Sequence, residues 1–211
     1  MLTLDRSAAR LLDARGREFD PRRRSWHPAD QGTGGESVSP AEAVRWLQHG
    51  VETRWRIPVG LIGPREPEAQ QLPVAEAVGA GLARLGFTVL CGGRQGVMEA
   101  ACRGIAAAGG ISVGLLPDAE WDAANAYVSI PIATGIGVAR NAIIARACWA
   151  LVAVGGGYGT ISEAAFGLQF GRPVFGLAGA PRIPGVVQLE DWPELEERLC
   201  RTFLQLEEPG A

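Results

Sequence analysis

Short apolar runs alternate with longer amphipathic segments along most of the chain. The runs are rich in Val, Ile and Leu, show no polar alternation, and cover residues 57–62, 87–91, 111–116, 149–154 and 174–177. Runs of this kind are typical of strands buried on both faces of a parallel sheet. The segments between them have helical spacing, at residues 68–85, 95–108, 138–148 and 160–170. The alternation predicts a doubly wound parallel α/β fold of the Rossmann-like kind, and residues 193–206 predict a last helix.

The N-terminal part of the chain follows a different pattern. Residues 11–19 predict two short strands around Gly16, and a basic run follows at residues 22–24. A solvated surface is the ordinary explanation of such a run, and a nucleic-acid contact is the alternative. We therefore expect a small N-terminal extension at residues 1–55, made of a hairpin and a helix. A Rossmann-like nucleotide-binding domain is expected at residues 56–211.

The helix of this extension has clear signals at both ends. Ser39 is the expected N-cap, Pro40 suits the first helical position, and Glu42 lies three residues after the cap, as in a capping box. Gly50 is the expected C-cap. These signals predict a helix from Pro40 to the residue before Gly50.

The charged residues exclude several classes of chemistry. All 20 positive charges are Arg because the sequence contains no Lys, and its two histidines are His27 and His49. A P-loop and Schiff-base chemistry with pyridoxal phosphate both need a Lys. Two histidines near the N-terminus do not supply a Ser-His-Asp triad or a His-based metal site. We therefore expect no metal and no bound cofactor.

Cysteine usage and hydropathy bear on location. Four cysteines, at positions 91, 102, 148 and 200, have no Cys-x-x-Cys spacing and lie in apolar surroundings, which indicates buried thiols in a reducing compartment. No apolar stretch approaches the 18 or more residues of a membrane span. The net charge of −3 disfavours nucleic acid as a partner. We expect a cytoplasmic protein that does not bind membranes.

Glycine clusters mark a candidate binding edge. They follow three of the apolar runs, at residues 60–65, 92–96 and 155–160. Ligands of open α/β sheets bind beyond the carboxyl ends of the strands, where free backbone amides and helix N-termini attract phosphate. The dinucleotide fingerprint Gly-x-Gly-x-x-Gly is missing from the first turn, and Cys91 and two glycines replace the acid that would hold an adenosine ribose. The pattern favours a mononucleotide or another small phosphorylated molecule.

Three segments carry a resemblance to a known family. Residues 92–100 (GGRQGVMEA), 134–141 (TGIGVARN) and 155–163 (GGGYGTISE) resemble the Lonely Guy superfamily of Rossmann-like proteins. The pattern is similar to a branch of uncharacterised proteins that are often mislabelled lysine decarboxylases. Characterised members of the superfamily are cytokinin riboside 5′-monophosphate phosphoribohydrolases. Others include a molybdenum cofactor carrier and, more distantly, a single-stranded DNA-binding protein.

The glycine clusters and the resemblance together give the candidate site. The expected phosphate- and ligand-binding residues are Gly63, Gly92, Gly93, Arg94, Asn141, Gly155, Gly156, Gly157, Tyr158, Gly159 and Thr160. The resemblance implies that Arg140 and Glu163 flank the sugar as catalytic residues. A carboxylate can stabilise the positive charge that develops on ribose, and a cation can assist the departing base. Structural explanations stay open: Thr160 and Glu163 also fit a capping box, and Arg94 also fits an exposed loop.

Two positions depart from the pattern of the hydrolases. Gly155 stands where they have Pro, and Asn141 stands where they have Lys after the Arg. The leading hypothesis is a homo-oligomer that binds an AMP-like nucleoside 5′-monophosphate, with hydrolysis of the N-glycosidic bond left open. The alternatives are a non-catalytic carrier or sensor of a phosphorylated cofactor such as molybdenum cofactor, and single-stranded nucleic-acid binding through the Arg-rich first segment.

Overall fold

The chain forms two compact units. The computed structural model describes residues 1–29, 34–49 and 56–206. The first unit comprises Met1–Trp55 together with Pro193–Ala211, and the second comprises Arg56–Trp192. Residue 55, where the expected extension ends, and the expected C-cap Gly50 lie outside the described residues.

A five-stranded antiparallel sheet dominates the first unit. Its strands are β1 (Leu2–Asp5), β2 (Arg10–Asp13), β3 (Arg17–Asp20), β4 (Ser25–Pro28) and β5 (Glu36–Val38), in the order β4-β3-β2-β1-β5. The two strands expected around Gly16 correspond to β2 and β3, and three further strands extend this hairpin into a sheet. The sequence pattern did not predict these three strands, because each has three or four residues and its polar side chains interrupt the apolar ones.

Helix α1 (Pro40–His49) follows this sheet and begins with the expected capping box. The backbone N–H of Glu42 donates to Ser39 Oγ at 3.2 Å, and the N–H of Ser39 donates to Glu42 Oε2 at 2.8 Å. Val44 and Leu47 are buried, as the apolar face of the helix predicts.

Residues 193–206 belong to the first unit by their contacts. We expected them to form part of the Rossmann-like domain, but Phe203 packs against Phe19 with ring centroids 6.2 Å apart. The indole Nε1 of Trp26 also donates to the Leu204 carbonyl at 2.6 Å. These aromatic partners are separated by nearly the whole sequence, so local patterns gave no sign of the contact.

The second unit is built on a seven-stranded parallel sheet. Its elements are β6 (Val59–Ile62), α2 (Gln71–Arg84), β7 (Val89–Cys91), α3 (Val97–Ala107), β8 (Ser112–Leu116), β9 (Ile130–Ala133), α4 (Arg140–Ala147), β10 (Ala150–Val154), α5 (Tyr158–Gln169), β11 (Val174–Leu177) and β12 (Val186–Gln188). The last helix, α6 (Trp192–Phe203), follows. Every residue of β6, β7, β10 and β11 is buried. The prediction of a doubly wound α/β fold is thereby confirmed.

The two edge strands of this sheet were not predicted. Strand β9 contains Pro131 and has exposed residues at alternate positions, whereas β12 has three residues and none of them is buried. Both properties are common at sheet edges, because an edge strand packs against fewer residues and needs fewer apolar side chains. Neither strand therefore carries the continuous apolar run that identified the central strands.

The strand order creates a switch point beside β6. The order is β12-β11-β10-β6-β7-β8-β9, so the chain runs outward from β6 to β9 and then returns to the other side of β6 with β10. Connections leave β6 and β10 in opposite directions, which opens a crevice at their carboxyl ends.

All four cysteines are buried free thiols. Among the described residues, no helix has the length and apolar character needed to cross a membrane.

Candidate functional site

A cavity of about 460 Å³ lies at this switch point. Its walls come from the carboxyl ends of β6 and β7 and from the N-terminal turns of α4 and α5. Ten of the thirteen expected site residues line it: Gly63, Gly92, Arg94, Arg140, Asn141, Gly156, Gly157, Gly159, Thr160 and Glu163. The volume is in the range of cavities that hold small organic ligands.

The N-terminus of α5 forms one wall of the cavity. The helix begins at Tyr158, and Gly157 is its N-cap without a side-chain cap. Within the described ranges, the backbone N–H groups of residues 157–160 donate no hydrogen bond to the protein. Such unsatisfied amides, together with the helix dipole, attract an anion.

Thr160 adds a second unsatisfied donor to this wall. The residue is 2% exposed, and its Oγ1 has no hydrogen-bond partner among the described residues. A buried hydroxyl without a partner costs free energy, and native structures rarely leave one in that state. Because Thr160 lines the cavity, a ligand oxygen is the natural partner of its hydroxyl.

Arg140 and Glu163 form a buried ion pair in the wall of the cavity. Arg140 is the first residue of α4, and its Nη1 donates to Glu163 Oε1 at 2.7 Å. The side chains retain 11% and 8% of their exposure, so water screens the pair weakly. The Nε of Arg140 has no partner among the described residues and is a further donor for a ligand.

Burial determines the protonation of this pair. It raises the pKa of Glu163 from an ordinary 4.5 to about 7, although the Arg140 guanidinium acts in the opposite direction. A carboxyl group with a pKa near neutrality is available as an acid or a base at physiological pH. The capping-box explanation of Glu163 is wrong, because α5 begins two residues before Thr160 and Glu163 pairs with Arg140.

Gly92 makes room for the Arg140 side chain. A Cβ built at this position would lie 2.5 Å from Arg140 Nη2 and 2.8 Å from Met98 Sδ. The glycine after β7 is therefore explained by the close approach of a guanidinium group, in addition to any contact with a ligand.

Two expected ligand contacts are engaged with the protein itself. Arg94 lines the cavity, but its Nη1 donates to Asp118, and this contact lowers the pKa of the Asp118 carboxyl. Asn141 is buried, and its Nδ2 donates to Ser162 Oγ at 2.8 Å, which joins α4 to the first turn of α5. Both side chains therefore shape the cavity wall as well as facing it.

Three expected residues do not line this cavity. Gly93 is turned into the protein, where its carbonyl accepts hydrogen bonds from the backbone and side chain of Asn125. Gly155, with φ of +61°, packs against the Gln71 side chain and donates its N–H to Leu177. Tyr158 is 94% exposed and lies on the other side of the α5 N-terminus. A glycine cluster gave no means of separating residues that line the cavity from those that support the turn.

Seven residues that line the cavity lie outside the expected set: Ile62, Pro64, Arg65, Glu66, Met98, Pro117 and Val138. Arg65 and Glu66 follow β6, Met98 is the second residue of α3, and Val138 precedes α4. Arg65 carried a usable signal, because it ends the glycine cluster after the first predicted strand. Within the described ranges, no group of three or more His, Cys, Asp or Glu side chains could hold a metal ion.

Comparisons with known proteins point to the same part of the chain. An uncharacterized protein from Archaeoglobus fulgidus is 40% identical over 142 residues, which cover 67% of this chain and 93% of that protein. The molybdenum cofactor carrier protein of Chlamydomonas reinhardtii is 32% identical with a TM-score of 0.65, and the match covers 72% of this chain and 99% of that one. The molybdenum cofactor binding protein of Rippkaea orientalis is 31% identical with a TM-score of 0.58, covering 72% and 87%.

The family match covers the cavity completely. Residues 56–202 match the SLOG cluster4 family, and every residue that lines the cavity lies between these limits. Since the matched segment is also well over half of the sequence, the chain belongs to the SLOG cluster4 family, and its Rossmann-like fold places it in the Lonely Guy-like superfamily.

Proposed function

We propose that this protein binds a nucleoside 5′-monophosphate, with the phosphate at the N-terminus of α5. The observation that carries the proposal is Thr160, which lines the cavity with a buried hydroxyl that has no partner among the described residues. The hydroxyl and the amides of residues 157–160 are donors without a partner in the described protein, and all belong to the helix N-terminus where a small anion would bind.

The remaining walls suit the rest of a nucleotide. Arg140 brings a positive charge to the cavity, and its free Nε is a donor for a phosphate or ribose oxygen. Met98, Val138 and Ile62 supply apolar surface for a base. A volume of about 460 Å³ has room for a ligand of this size.

The Arg140–Glu163 pair supports N-glycosidic hydrolysis as an accompanying activity. The Glu163 carboxylate would stabilise positive charge on the ribose or orient the attacking water, and Arg140 would assist the departing base. Adenine release from AMP, followed by chromatography, tests this activity. No release by concentrated protein over several hours would restrict the function to binding.

Substitution of Thr160 tests the binding proposal directly. Thr160→Val removes the unsatisfied hydroxyl, so the free protein should become more stable by about 1 kcal/mol while its affinity for AMP falls about tenfold or more. Thr160→Ser keeps the hydroxyl and is the matched control. Calorimetric titration and urea unfolding give both quantities. Equal affinity of the Val variant and the wild type would reject the proposed phosphate site.

A second candidate function is carriage of molybdenum cofactor. It is favoured by two solved structures that are 31% and 32% identical to this chain and are described as molybdenum cofactor binding and carrier proteins. That cofactor is a pterin phosphate, so its phosphate would use the same donors at α5. Co-purifying molybdenum and pterin fluorescence in denatured protein would support this candidate, and their absence from protein produced in cells that make the cofactor would count against it.

The oligomeric state stays a prediction. The resemblance implies a homo-oligomer, and sedimentation of the purified protein at several concentrations tests it. A single monomeric species at every concentration would reject it.

A further inference from the structure

A second, smaller cavity opens on the other side of the α5 N-terminus. It has a volume of about 290 Å³ and is lined by Gly156, Gly157, Tyr158, Ile161, Gly179 and Pro181. Gly156 and Gly157 also line the larger cavity, so these two glycines border both cavities. The proposed phosphate position therefore has a hollow on each side.

The wall of the second cavity is apolar and partly exposed. Tyr158 is 94% exposed, and Ile161, one turn further along α5, is 41% exposed. Pro181 approaches from the loop after β11, and a Cβ at Gly156 would lie 2.8 Å from its ring. An aromatic ring and a proline beside a phosphate position are suited to stacking a planar base.

The loop that carries Pro181 is held in an unusual conformation. Ala178 has a φ of +48°, which is costly for a residue other than glycine, and Gly179 follows with +81°. The Nε2 of Gln71 donates to the Ala178 carbonyl at 3.1 Å, and Gly155 packs against the same Gln71 side chain. One buried side chain thus fixes the loops on both sides of the second cavity. Strain of this kind persists where the surrounding structure enforces it, often at binding sites.

We infer that the ligand is a dinucleotide whose bridging diphosphate lies at Gly156 and Gly157 and whose two nucleoside arms occupy the two cavities. The inference rests on the proposed phosphate site and extends it, because a mononucleotide fills the larger cavity and leaves the second one empty. A side chain at Gly156 would overlap the Pro181 ring, whereas a Cβ at Gly157 would meet no atom within 4 Å, so the space beside Gly157 is open.

The absence of the dinucleotide fingerprint from the first turn does not conflict with the inferred site. That fingerprint places a diphosphate at the first turn of the fold, after β6, and this turn lacks the Gly-x-Gly-x-x-Gly spacing. The inferred site lies after β10 instead. There the free amides of residues 157–160 and the unpartnered Thr160 hydroxyl, which is 2% exposed, supply the donors.

Three adenine nucleotides test the inference on the full chain. AMP has one phosphate and one arm, ADP has the diphosphate and one arm, and diadenosine 5′,5′-diphosphate has the diphosphate and two identical arms. Stacking of the second adenine should make the two-armed ligand bind about tenfold more tightly than ADP in calorimetric titrations.

Two matched variants locate the second arm. Ile161→Glu places a charge in the second cavity and should remove the advantage of the two-armed ligand, while ADP binding changes less than about threefold. Phe166→Glu is the control: it lies on the same helix with nearly the same exposure, 40%, and lines neither cavity. This control should keep the tenfold difference, and thermal unfolding verifies that both variants are folded.

The possible failures are distinguishable. If ADP and the two-armed ligand bind equally, the inference is overturned and the proposed nucleotide site stands. The inference also fails if Ile161→Glu leaves the difference intact, since the second arm then lies elsewhere. If none of the three nucleotides binds, the proposed function and the inference are both rejected.

Discussion

The Arg140–Glu163 pair shows how burial sets the chemistry of single residues. Each side chain is charged when isolated in water, but the surrounding protein excludes most of the water from both side chains. For Glu163 the loss of hydration outweighs the nearby guanidinium, so its pKa is raised to about 7. The protonation of one carboxyl group therefore changes within the physiological range.

The raised pKa of Glu163 predicts a specific dependence of stability on pH. The folded protein holds this proton up to about pH 7 and the unfolded chain up to about 4.5, so the stabilisation is complete below pH 4.5 and is lost as pH rises to about 7. Relative to Glu163→Gln, the wild type should lose on the order of 3 kcal/mol across this window and nothing further above it. Urea unfolding of both proteins between pH 5 and 8.5 measures the difference. A constant difference across this window would mean an ordinary pKa.

Gly92 gives a second prediction at this scale. In Gly92→Ala the new methyl group would overlap the Arg140 guanidinium, which must then move away from its place beside Glu163. We expect AMP affinity to fall about tenfold, because a charge-assisted contact with the ligand is lost. Calorimetric titration measures the loss. Wild-type affinity in a folded variant would show that the ligand does not depend on this position of Arg140.

Residue types alone could not identify which polar side chains are free for a ligand. Arg94 and Asn141 were expected ligand contacts and both line the cavity, but Asp118 and Ser162 already bind them. The partners lie 24 and 21 residues further along the chain, and neither belongs to a glycine cluster. Pairing of this kind depends on three-dimensional packing, which a linear motif does not record.

Three turns of the N-terminal sheet share one structure, in which an Asp side chain binds backbone amides. Asp5, Asp13 and Asp20 each end a strand, and the Oδ1 of each accepts two backbone N–H groups from the next four residues. The residue just before the next strand has a positive φ in every case: 53° at Ala9, 71° at Gly16 and 50° at Arg24. Asp side chains commonly stabilise turns in this way. Of the three left-handed positions, the second is occupied by glycine.

The turns predict opposite effects for two reciprocal substitutions. Ala9→Gly should stabilise the protein by about 1 kcal/mol, because glycine adopts a positive φ without the steric cost that alanine bears. Gly16→Ala should destabilise it by a similar amount, since a Cβ there meets no neighbour and the backbone conformation is the sole penalty. Urea unfolding of both variants checks the signs. Effects of the same sign would contradict the explanation by backbone conformation.

Fully buried strands were easier to predict from the sequence than strands of mixed exposure. Strands β6, β7, β10 and β11 were identified because all their residues are buried, which requires continuous apolar runs. The edge strands β9 and β12 and most of the N-terminal sheet have mixed exposure, so their sequences resemble loops. The sequence therefore indicated the centre of the Rossmann-like sheet and gave little sign of its margins.

At the scale of the whole molecule, the cavity depends on strand order. Val59 pairs with Ala150, so β6 and β10 are neighbours although about ninety residues separate them. Glycine clusters predicted that both strands end at a candidate binding edge, but the crevice between them requires that the chain reverse its direction of winding at this point. Hydrophobic patterning does not specify that reversal. The sequence therefore indicated residues that line the cavity more readily than the shape of the cavity.

The distribution of charge over the chain predicts that it does not bind single-stranded DNA. The protein has 20 Arg, 23 acidic residues and a net charge of −3. In the first unit Arg6, Arg10, Arg17 and Arg23 are each paired with a carboxylate, which reduces the positive potential of the Arg-rich segment. Fluorescence anisotropy of a labelled oligothymidine should show no binding at 150 mM salt up to roughly 10 µM protein. Binding with an affinity that falls steeply as salt rises would instead show that these arginines release counterions from phosphate, and would reject the prediction.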